Sequence, residues 1–270
     1  MCRVAESLAL YVRLVSARVR AQWQYRASFA LDVLGVFLVS FLDFIAILVI
    51  FDNVPQLGGW SVQEVAFLYG IAGVSFSIAE LAVGHLDLLP QLIRDGNFDL
   101  VLIRPRNTLL QVIVSDFRLR QFGRLLQSIV VLVYAVVALD IGWTVDRVAM
   151  IVVAVLAGAA IFAAIWVAGI TIVFWAVEGR ESVNSFTDGG NFLSEYPIDV
   201  YAGWLQRFVI FVVPLAFVAY FPATYVLDKP DPLGAPDWVP FASPAVAIVA
   251  AVIAGHVWRH AVRHYRSAGG

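Results

Sequence analysis

Long apolar runs constrain this chain more than any other feature of its sequence. A membrane-spanning helix needs about 20 predominantly apolar residues, and six stretches of the chain reach or nearly reach that length. The third stretch is short, and the fourth is long enough to tilt or break. The sequence therefore predicts an all-α membrane protein with six transmembrane helices, at residues 29–51, 65–84, 125–139, 148–177, 208–227 and 244–258.

The overall composition agrees with that class. Of the 270 residues, 61% are hydrophobic and only 14% are charged. A soluble globular domain is roughly half apolar and about 25% charged. The composition therefore excludes an ordinary soluble domain.

The basic residues are distributed very unevenly among the predicted loops. If the N-terminus is cytoplasmic and the chain crosses six times, all of the 18 Lys and Arg residues except Arg147 and Lys229 fall on the cytoplasmic side. Cytoplasmic loops of membrane proteins are enriched in basic residues. We therefore expect a multi-pass protein with both termini in the cytoplasm.

The two ends of the chain are basic. In residues 1–28, arginines alternate with apolar residues at helical spacing, at Leu8, Val12, Val15, Val19 and Trp23. This pattern predicts an amphipathic helix in the membrane interface; the alternative is a basic tail that only fixes orientation. The predicted organisation is this helix, a transmembrane domain over residues 29–258, and a basic cytoplasmic tail over residues 259–270.

The first inner connection, residues 85–105, has the pattern of a short surface helix. Its apolar residues fall at helical spacing, at Leu88, Leu89, Leu92 and Ile93. Arg94 and Asp95 lie off that stripe, Gly96 is a natural helix end, and Pro105 prevents simple continuation. We predict an amphipathic helix at the membrane surface, tethered between two spans and open to a soluble partner.

Acidic residues mark two further candidate sites. Asp43 and Glu80 are the deepest carboxylates in the predicted spans, where a charge costs at least about 2.5–3.5 kcal/mol. Two interpretations are open: these carboxylates belong to a transport path or proton relay, or they form hydrogen bonds with a neighbouring span that stabilise packing. In the second inner connection, residues 178–207, Glu178 and Glu181 form either a charged elbow for a partner or a solvated helix end.

Motifs for catalysis and cofactor binding are missing from the sequence. There is no GxxxxGK[ST] phosphate-binding loop, no GxSxG and no GxGxxG, and Cys2 is the single cysteine. His256, His260 and His264 have helical spacing, but they lack the glutamate of a zinc motif and fit a basic interfacial helix. We expect a non-catalytic chain that binds no metal or cofactor itself.

Two stretches carry a family resemblance. One is Asp-Gly-Asn-Phe-Asp-Leu-Val-Leu-Ile-Arg-Pro at residues 95–105. The other is Phe-Leu-Ser-Glu-Tyr-Pro-Ile-Asp-Val-Tyr at residues 192–201, which leads into Pro-Leu-Ala-Phe-Val-Ala-Tyr-Phe-Pro-Ala at residues 214–223. Together with six spans and a basic N-terminal segment, they resemble the ABC-2-type permeases, the membrane subunits of bacterial ABC transporters.

The resemblance implies a fold, partners and a location. The fold would be that of an ABC-2, type V exporter-like permease, with the N-terminal helix as a connecting helix and a cytoplasmic coupling helix at residues 86–99. A separate ATP-binding subunit would hold ATP and Mg, and a second permease, identical or a sister, would complete the transporter in the bacterial plasma membrane. The residues expected to couple to the ATPase are Leu88, Leu92, Arg94, Asp95, Gly96, Phe98 and Asp99; the second inner connection would add Glu178, Glu181, Glu195 and Tyr196.

Three functions remain open at this point. The resemblance favours export of a hydrophobic or amphipathic compound, such as a drug, antibiotic, lipid or glycan. The alternatives are a membrane scaffold without a transport path of its own, and a membrane-embedded enzyme that uses Asp43 or Glu80. Beyond the protein partners we expect contact with the lipid bilayer, and no nucleic acid.

Overall fold

The computed structural model describes residues 26–113, 121–176 and 180–265, without the side chains of residues 180–184. Within these ranges the secondary structure is helical, apart from one isolated antiparallel bridge between Leu57 and Trp60. The predicted N-terminal helix lies outside the described residues up to position 25. Glu178, the side chain of Glu181 and the end of the basic tail also lie outside them.

The helices follow one another with short connections. In chain order they are α1 (Arg26–Asn53), α2 (Val62–Val83), α3 (Leu89–Arg94), α4 (Asn97–Leu102), α5 (Thr108–Ile113), α6 (Phe122–Ala138), α7 (Val145–Ile170), α8 (Arg180–Ser194), α9 (Gly203–Arg207), α10 (Tyr220–Val226) and α11 (Ser243–Arg263). Short 3-10 segments, Gly84–Leu88, Thr171–Phe174, Ile198–Val200, Leu215–Phe217 and Val239–Ala242, and a π-helical turn, Phe208–Val212, join some of them.

Helix α2 is the centre of the fold. It starts at a capping box, because Ser61 Oγ accepts from the Glu64 N–H while the Glu64 carboxylate accepts from the Ser61 N–H. Its residues are then buried along most of its length, between α6 on one side and α7 on the other. Helix α1 packs mainly on α6, and α11 packs on α7.

Small residues set the spacing of the central helices. A Cβ atom on Gly70 of α2 would lie 2.7 Å from the Cα of Leu132 on α6. A Cβ atom on Gly158 of α7 would lie 2.7 Å from Ser75 Oγ on α2. Lipid tails are as apolar as the helix surfaces, so the hydrophobic effect does not drive helices together inside a membrane. Close backbone approach instead stabilises the packing through van der Waals contacts.

The ends of α2 define two ends of the molecule, which we call the Trp60 end and the His85 end. At the His85 end, the start of α6 lies beside Glu80 and the end of α7 lies beside Phe98. At the Trp60 end, Lys229 bonds to Glu64 and to the Gly59 carbonyl. The long helices therefore run between these two ends.

The number of apolar spans is lower than the sequence predicts. Within the described residues, 4 helices are long and apolar enough to cross a membrane, or 5 if one bent pair counts as a span. They are Arg26–Asn53, Val62–Arg94, Val145–Phe174 and Val239–Arg263. The third predicted span, Phe122–Ala138, is helical but has only 17 residues. The structure thus confirms a nearly all-helical membrane protein and leaves six spans unconfirmed.

The fifth predicted span, residues 208–227, is not one helix. It belongs to a pair of segments, Gly203–Val212 and Leu215–Val226, that are bent by 75° at their junction. Pro214 lies at the break, where it has no N–H to continue the hydrogen-bond ladder. Asp199, just before the pair, and Lys229, just after it, both contact the Trp60 end. The pair therefore enters and leaves at the same end, as a re-entrant segment does.

The second inner connection also differs from the prediction. Phe174 at the end of α7 lies at the His85 end, whereas Asp199 accepts a hydrogen bond from Trp60 Nε1 at 3.1 Å. Helix α8 therefore connects the two ends of the molecule, and residues 178–207 do not stay at one surface. The hydropathy of the sequence does not predict α8 as a helix that connects the two ends, because Asp188, Asn191 and other polar residues lower its apolar content.

Candidate polar site and coupling surface

Glu80 is paired at the His85 end of α2. Its carboxylate accepts hydrogen bonds from Gln121 Nε2 at 2.7 Å and from Arg124 Nη1 at 3.4 Å. The Arg124 guanidinium also lies 5.3 Å from the centre of the Phe76 ring and 3.9 Å from the Asp188 carboxylate on α8. A carboxylate inside a membrane protein needs such partners, and here they join α2, α6 and α8.

A second polar group lies nearer the middle of α2. The Gln127 side chain on α6 donates to the Tyr69 hydroxyl at 3.3 Å, and this hydroxyl donates to the Ser40 carbonyl oxygen on α1 at 3.3 Å. All three residues are buried. Buried polar groups cost free energy unless they are hydrogen-bonded, so this network fixes the register of α1, α2 and α6.

A third group surrounds the last turn of α8. Asn191 Nδ2 donates to Glu195 Oε1 at 2.7 Å, and the Glu195 side chain is only 7% exposed. Asn191 Oδ1 is buried and has no hydrogen-bond partner among the described residues. Asp43 on α1 is exposed and lies on the side of the bundle that faces Glu195.

These groups form what we call the polar column, which follows α1, α2, α6 and α8. Its members are Asp43, Tyr69, Glu80, Arg124, Gln127, Asp188, Asn191 and Glu195. The sequence points to Asp43 and Glu80 but not to their surroundings. Glu195 is also named in the sequence analysis, as part of the second inner connection. The missed members are Asp188 and Asn191 on α8, which precede Glu195 by seven and four residues and therefore lie on the same helix face.

The first inner connection forms a compact group of short helices at the His85 end. Gly96 lies between α3 and α4 with φ 68°, in the left-handed region that favours glycine, which agrees with the predicted helix end. Leu89 and Ile93 are buried, whereas Leu88 and Leu92 are half-buried. Asp87 accepts a hydrogen bond from Trp166 Nε1 on α7 at 3.2 Å, so the connection is held firmly against the helix bundle.

Phe98 has a different position from the one expected of a partner contact. It is fully buried, and its ring centre lies 5.3 Å from that of Phe174 and 5.0 Å from that of Tyr265. Phe174 in turn lies 5.7 Å from Trp258, whose Nε1 donates to Thr108 Oγ1 at 3.1 Å. Phe98 therefore anchors α4 to the ends of α7 and α11 and cannot itself touch a soluble partner.

The outward surface of the same connection is basic and apolar. Arg94, Asp95 and Asn97 are exposed, and Asp99 and Gly96 are half-buried. Further along, basic and large apolar side chains are exposed side by side, at Leu100, Leu102, Ile103, Arg104, Arg106 and Leu110. We call this surface, together with Arg94 and Asp95, the coupling surface.

Of the residues expected in the second inner connection, Glu195 and Tyr196 lie beyond the last turn of α8. Glu195 is buried and Tyr196 is half-buried, with its ring 5.2 Å from that of Phe192. They belong to the part of the chain that leads to Asp199 and the Trp60 end. The structure therefore does not bring them together with Arg94 and Asp95.

Asp199 completes the contacts at the Trp60 end. Burial raises the pKa of the Asp199 carboxyl, and the hydrogen bond from Trp60 Nε1 opposes this rise. Its second oxygen, Oδ1, is buried without a hydrogen-bond partner among the described residues. The sequence analysis does not single out this residue, because its partner is 139 positions away.

The described helices, several of them long and apolar enough to span a membrane, form the architecture of a multi-pass membrane protein. The model of the family described as ABC-2 family transporter protein matches residues 37–269, so this chain belongs to the ABC-2 family of transporter proteins. The resemblance carried by residues 95–105 and 192–223 is thereby confirmed. No curated protein and no solved structure matches the chain.

Membership assigns the chain a general role. It is a permease of the ABC transporter class, a membrane subunit of a kind that is generally non-catalytic and works with an ATP-binding subunit. Within the described residues there is no group of three or more His, Cys, Asp or Glu side chains that could hold a metal ion.

Proposed function

We propose that this chain is the permease of an exporter in a bacterial plasma membrane, with the His85 end and both termini in the cytoplasm. A separate ATP-binding subunit binds ATP and Mg and docks on the coupling surface. A second permease, identical or a sister, completes the pathway. The cargo is a hydrophobic or amphipathic compound, of the kind represented by drugs, antibiotics, lipids or glycans.

The observation that carries this proposal is the contrast between the two faces of the first inner connection. Leu89, Ile93 and Phe98 are buried against the bundle, while Arg94 and Asp95 are exposed beside basic and apolar side chains. A surface helix that is anchored on one face and charged on the other suits docking of a soluble motor. Leu88, Leu92, Gly96 and Asp99 support that surface from half-buried positions.

The anchoring contacts supply a route for mechanical coupling. A displacement of the coupling surface would be passed to α7 through Asp87 and Trp166, and to α11 through Phe98 and Tyr265. A ligand shifts a conformational equilibrium only through contacts that differ between the two states. ATP-driven closure of the motor would supply that difference at the coupling surface.

The polar column is the part of the bundle that best suits a transport path. The carboxylates of Asp43 on α1 and Asp188 on α8 are exposed. Direct contact of either carboxylate with lipid would cost free energy. Cover by a second permease, with water between the two chains, would remove that penalty. Glu80 would act from its pair with Arg124, and Glu195 and Tyr196 would line the half near the Trp60 end. Glu181, in the first turn of α8, would lie on the cytoplasmic side.

Charge reversal on the coupling surface tests the proposal. Arg94→Glu should leave the protein inserted in the membrane but reduce both co-purification of the ATP-binding subunit and ATP-dependent transport. Arg259→Glu, which changes an exposed arginine on α11 near the same end, is the matched control. Normal transport by a well-folded Arg94→Glu protein would refute the docking site. A wild-type chain that binds the ATPase without altering its turnover would point to a scaffold instead.

A further inference from the structure

A cavity of about 910 Å³ lies at the Trp60 end, and no residue of the polar column or of the coupling surface lines it. Its walls come from the start of α7, from α10 and from the proline-rich segment that precedes α11. A volume of this size is within the roughly 300–1,000 Å³ typical of small-molecule sites. The lining side chains that matter below are Asp146, Arg147, Tyr225, Lys229, Asp237 and Phe241.

Three of the six charged side chains that line the cavity, Asp146, Lys229 and Asp231, already have close hydrogen-bond partners. Lys229 Nζ bonds to Glu64 Oε1 at 2.8 Å, and Asp146 accepts from the Tyr225 hydroxyl at 2.7 Å. Asp231 accepts from the Tyr220 hydroxyl at 3.0 Å and from the backbone N–H groups of Leu233 and Ala235. These groups shape the cavity and have little capacity left for a ligand.

Three charged side chains remain available, namely Arg147 and the exposed carboxylates of Asp228 and Asp237. Within the described part of the chain, the Arg147 guanidinium has only long contacts, 3.4 Å to the Gly142 carbonyl and 3.9 Å to the Asp228 carboxylate. Asp237 is exposed and makes no hydrogen bond or ion pair with the described part of the chain. Arginine is suited to bind a phosphate through paired N–H donors, and an aspartate can accept an ammonium group. The cavity thus offers complementary charges to a zwitterion.

Aromatic rings add a second feature that suits an ammonium group. The Tyr225 and Phe241 rings meet edge to face, with their centres 4.8 Å apart, and both line the cavity. Ring faces attract alkylated or primary ammonium groups by cation–π interaction. An anion alone would gain nothing from these rings.

The surroundings of the cavity are those of a membrane interface. Trp143 and Trp238 are exposed close by in the sequence, and exposed tryptophans are typical of the headgroup level. Val145, Val148 and Val152 are exposed on one face of α7, and the first of them is next in sequence to the lining residue Asp146. An acyl chain could lie on this stripe while its headgroup occupies the cavity.

We propose that this cavity binds a zwitterionic phosphodiester–ammonium group, and that its source is the headgroup of a membrane phospholipid. Arg147 holds the phosphodiester, while Asp237 and the rings of Tyr225 and Phe241 hold the ammonium group. The site depends neither on the direction of transport nor on the ATP-binding subunit.

Lipid binding by the purified full-length chain in a neutral detergent tests this site. Dissociation constants are measured by native mass spectrometry for phosphatidylethanolamine, phosphatidylcholine and phosphatidylglycerol with the same acyl chains. The two zwitterionic lipids should bind at least roughly tenfold more tightly than phosphatidylglycerol, which has the phosphodiester but no ammonium group. Equal binding of phosphatidylglycerol would overturn the proposal.

Substitutions locate the site. Arg147→Gln and Asp237→Asn should each weaken binding of phosphatidylethanolamine about tenfold, because each removes one charge-assisted contact. Asp140→Asn, which changes an exposed carboxylate outside the cavity lining, should leave binding unchanged. If Arg147→Gln fails to fold, Asp237→Asn alone decides, and unchanged binding by that variant would overturn the proposal.

Soluble glycerophosphoethanolamine distinguishes the two sources of the same chemistry. If the ligand is a lipid, the soluble compound should bind far more weakly, because it lacks the acyl chains that lie on the α7 stripe. Binding as tight as that of the lipid would overturn the assignment to a membrane phospholipid.

Discussion

The carboxylate of Glu80 on α2 accepts a hydrogen bond from Arg124 on α6 at 3.4 Å, although the two residues are 44 positions apart. Glu80 is 12% and Arg124 31% exposed at the side chain. The pair thus fastens two central helices at the His85 end with charges that lie mostly inside the protein. Because the two side chains are partly shielded from solvent, we expect the Glu80–Arg124 pair to contribute to the stability of the fold.

Removal of this carboxylate should destabilise the protein. Glu80→Ala removes the acceptor of Gln121 and leaves Arg124 with its longer 3.9 Å contact to Asp188. Loss of a hydrogen bond to a charged group costs about 1.5–3 kcal/mol. Glu80→Gln keeps an acceptor and should cost less. Unfolding in mixed detergent measures both. A cycle that includes Arg124→Ala isolates the pair energy, and a coupling energy near zero would contradict the pairing.

Truncation of Phe98 should be costly, because its ring is fully buried between Phe174 and Tyr265. Phe→Ala changes in a packed core cost about 3–5 kcal/mol, so Phe98→Ala should lower the midpoint of thermal unfolding strongly. Leu100→Ala, at a neighbouring side chain that is 53% exposed, is the control and should change stability by about 0.5 kcal/mol or less. Similar effects of the two variants would show that Phe98 is not an anchor.

The crossing of α2 and α6 should not tolerate a methyl group at Gly70. A Cβ atom there would lie 2.7 Å from the Leu132 backbone, which cannot rotate away, and overpacking typically costs about 1–3 kcal/mol. Gly255→Ala on α11 has no atom within 4 Å of the new Cβ and should be neutral or stabilising by up to about 1 kcal/mol. Gly70→Ala should therefore lower the midpoint of thermal unfolding, whereas Gly255→Ala should leave it unchanged or raise it. A stabilised Gly70→Ala would disprove the close approach.

The re-entrant segment predicts the side from which Trp204 is accessible. Trp204 is 72% exposed, and the adjacent Gln206 donates to the Asp199 carbonyl oxygen near Trp60. With Cys2 replaced by serine, Trp204→Cys should react with a membrane-impermeant thiol reagent from outside intact cells. Asp140→Cys should react likewise, and Arg104→Cys should react only after lysis. Labelling of Trp204→Cys together with Arg104→Cys would contradict the re-entrant course.

The stability of the Trp60 end should depend on pH through Asp199. Because burial raises its pKa in the folded state, the folded protein binds the proton more tightly than the unfolded chain does. The protonated form therefore stabilises the fold below the ordinary value of 3.8, and this contribution is lost as pH rises through the raised pKa. Asp199→Asn should flatten the pH dependence of thermal unfolding in this range. An unchanged profile would show that Asp199 contributes nothing to it.

Several parts of the fold follow from local patterns. The second predicted span, residues 65–84, agrees closely with α2, because Ser61 and Glu64 form a capping box before a long apolar run. The sixth, residues 244–258, lies inside α11. Gly96 ends a helix as predicted, since its left-handed conformation is a property of that residue type.

Other parts could not be predicted in this way. Helix α8 packs on α2 and α7 although it is rich in polar residues, some of them buried, such as Thr187, and some exposed, such as Asp188. An average over its sequence therefore does not reveal that it connects the two ends of the molecule. The run at residues 208–227 is apolar enough to span, but its segments bend by 75° beside Pro214. Composition alone does not distinguish a straight span from a re-entrant pair.

The sequence by itself determined that this chain is a membrane protein and which family it resembles. It also determined that a polar segment with a short surface helix, residues 85–105, follows the second apolar helix. Those properties depend on hydrophobicity and turn preference, which can be read from residues that are neighbours in the sequence. Only the tertiary structure decided that Phe98 faces inward, that Glu80 meets Arg124 and that Arg147 and Asp237 line one cavity. Such contacts join residues far apart in the chain, so they depend on how the helices pack.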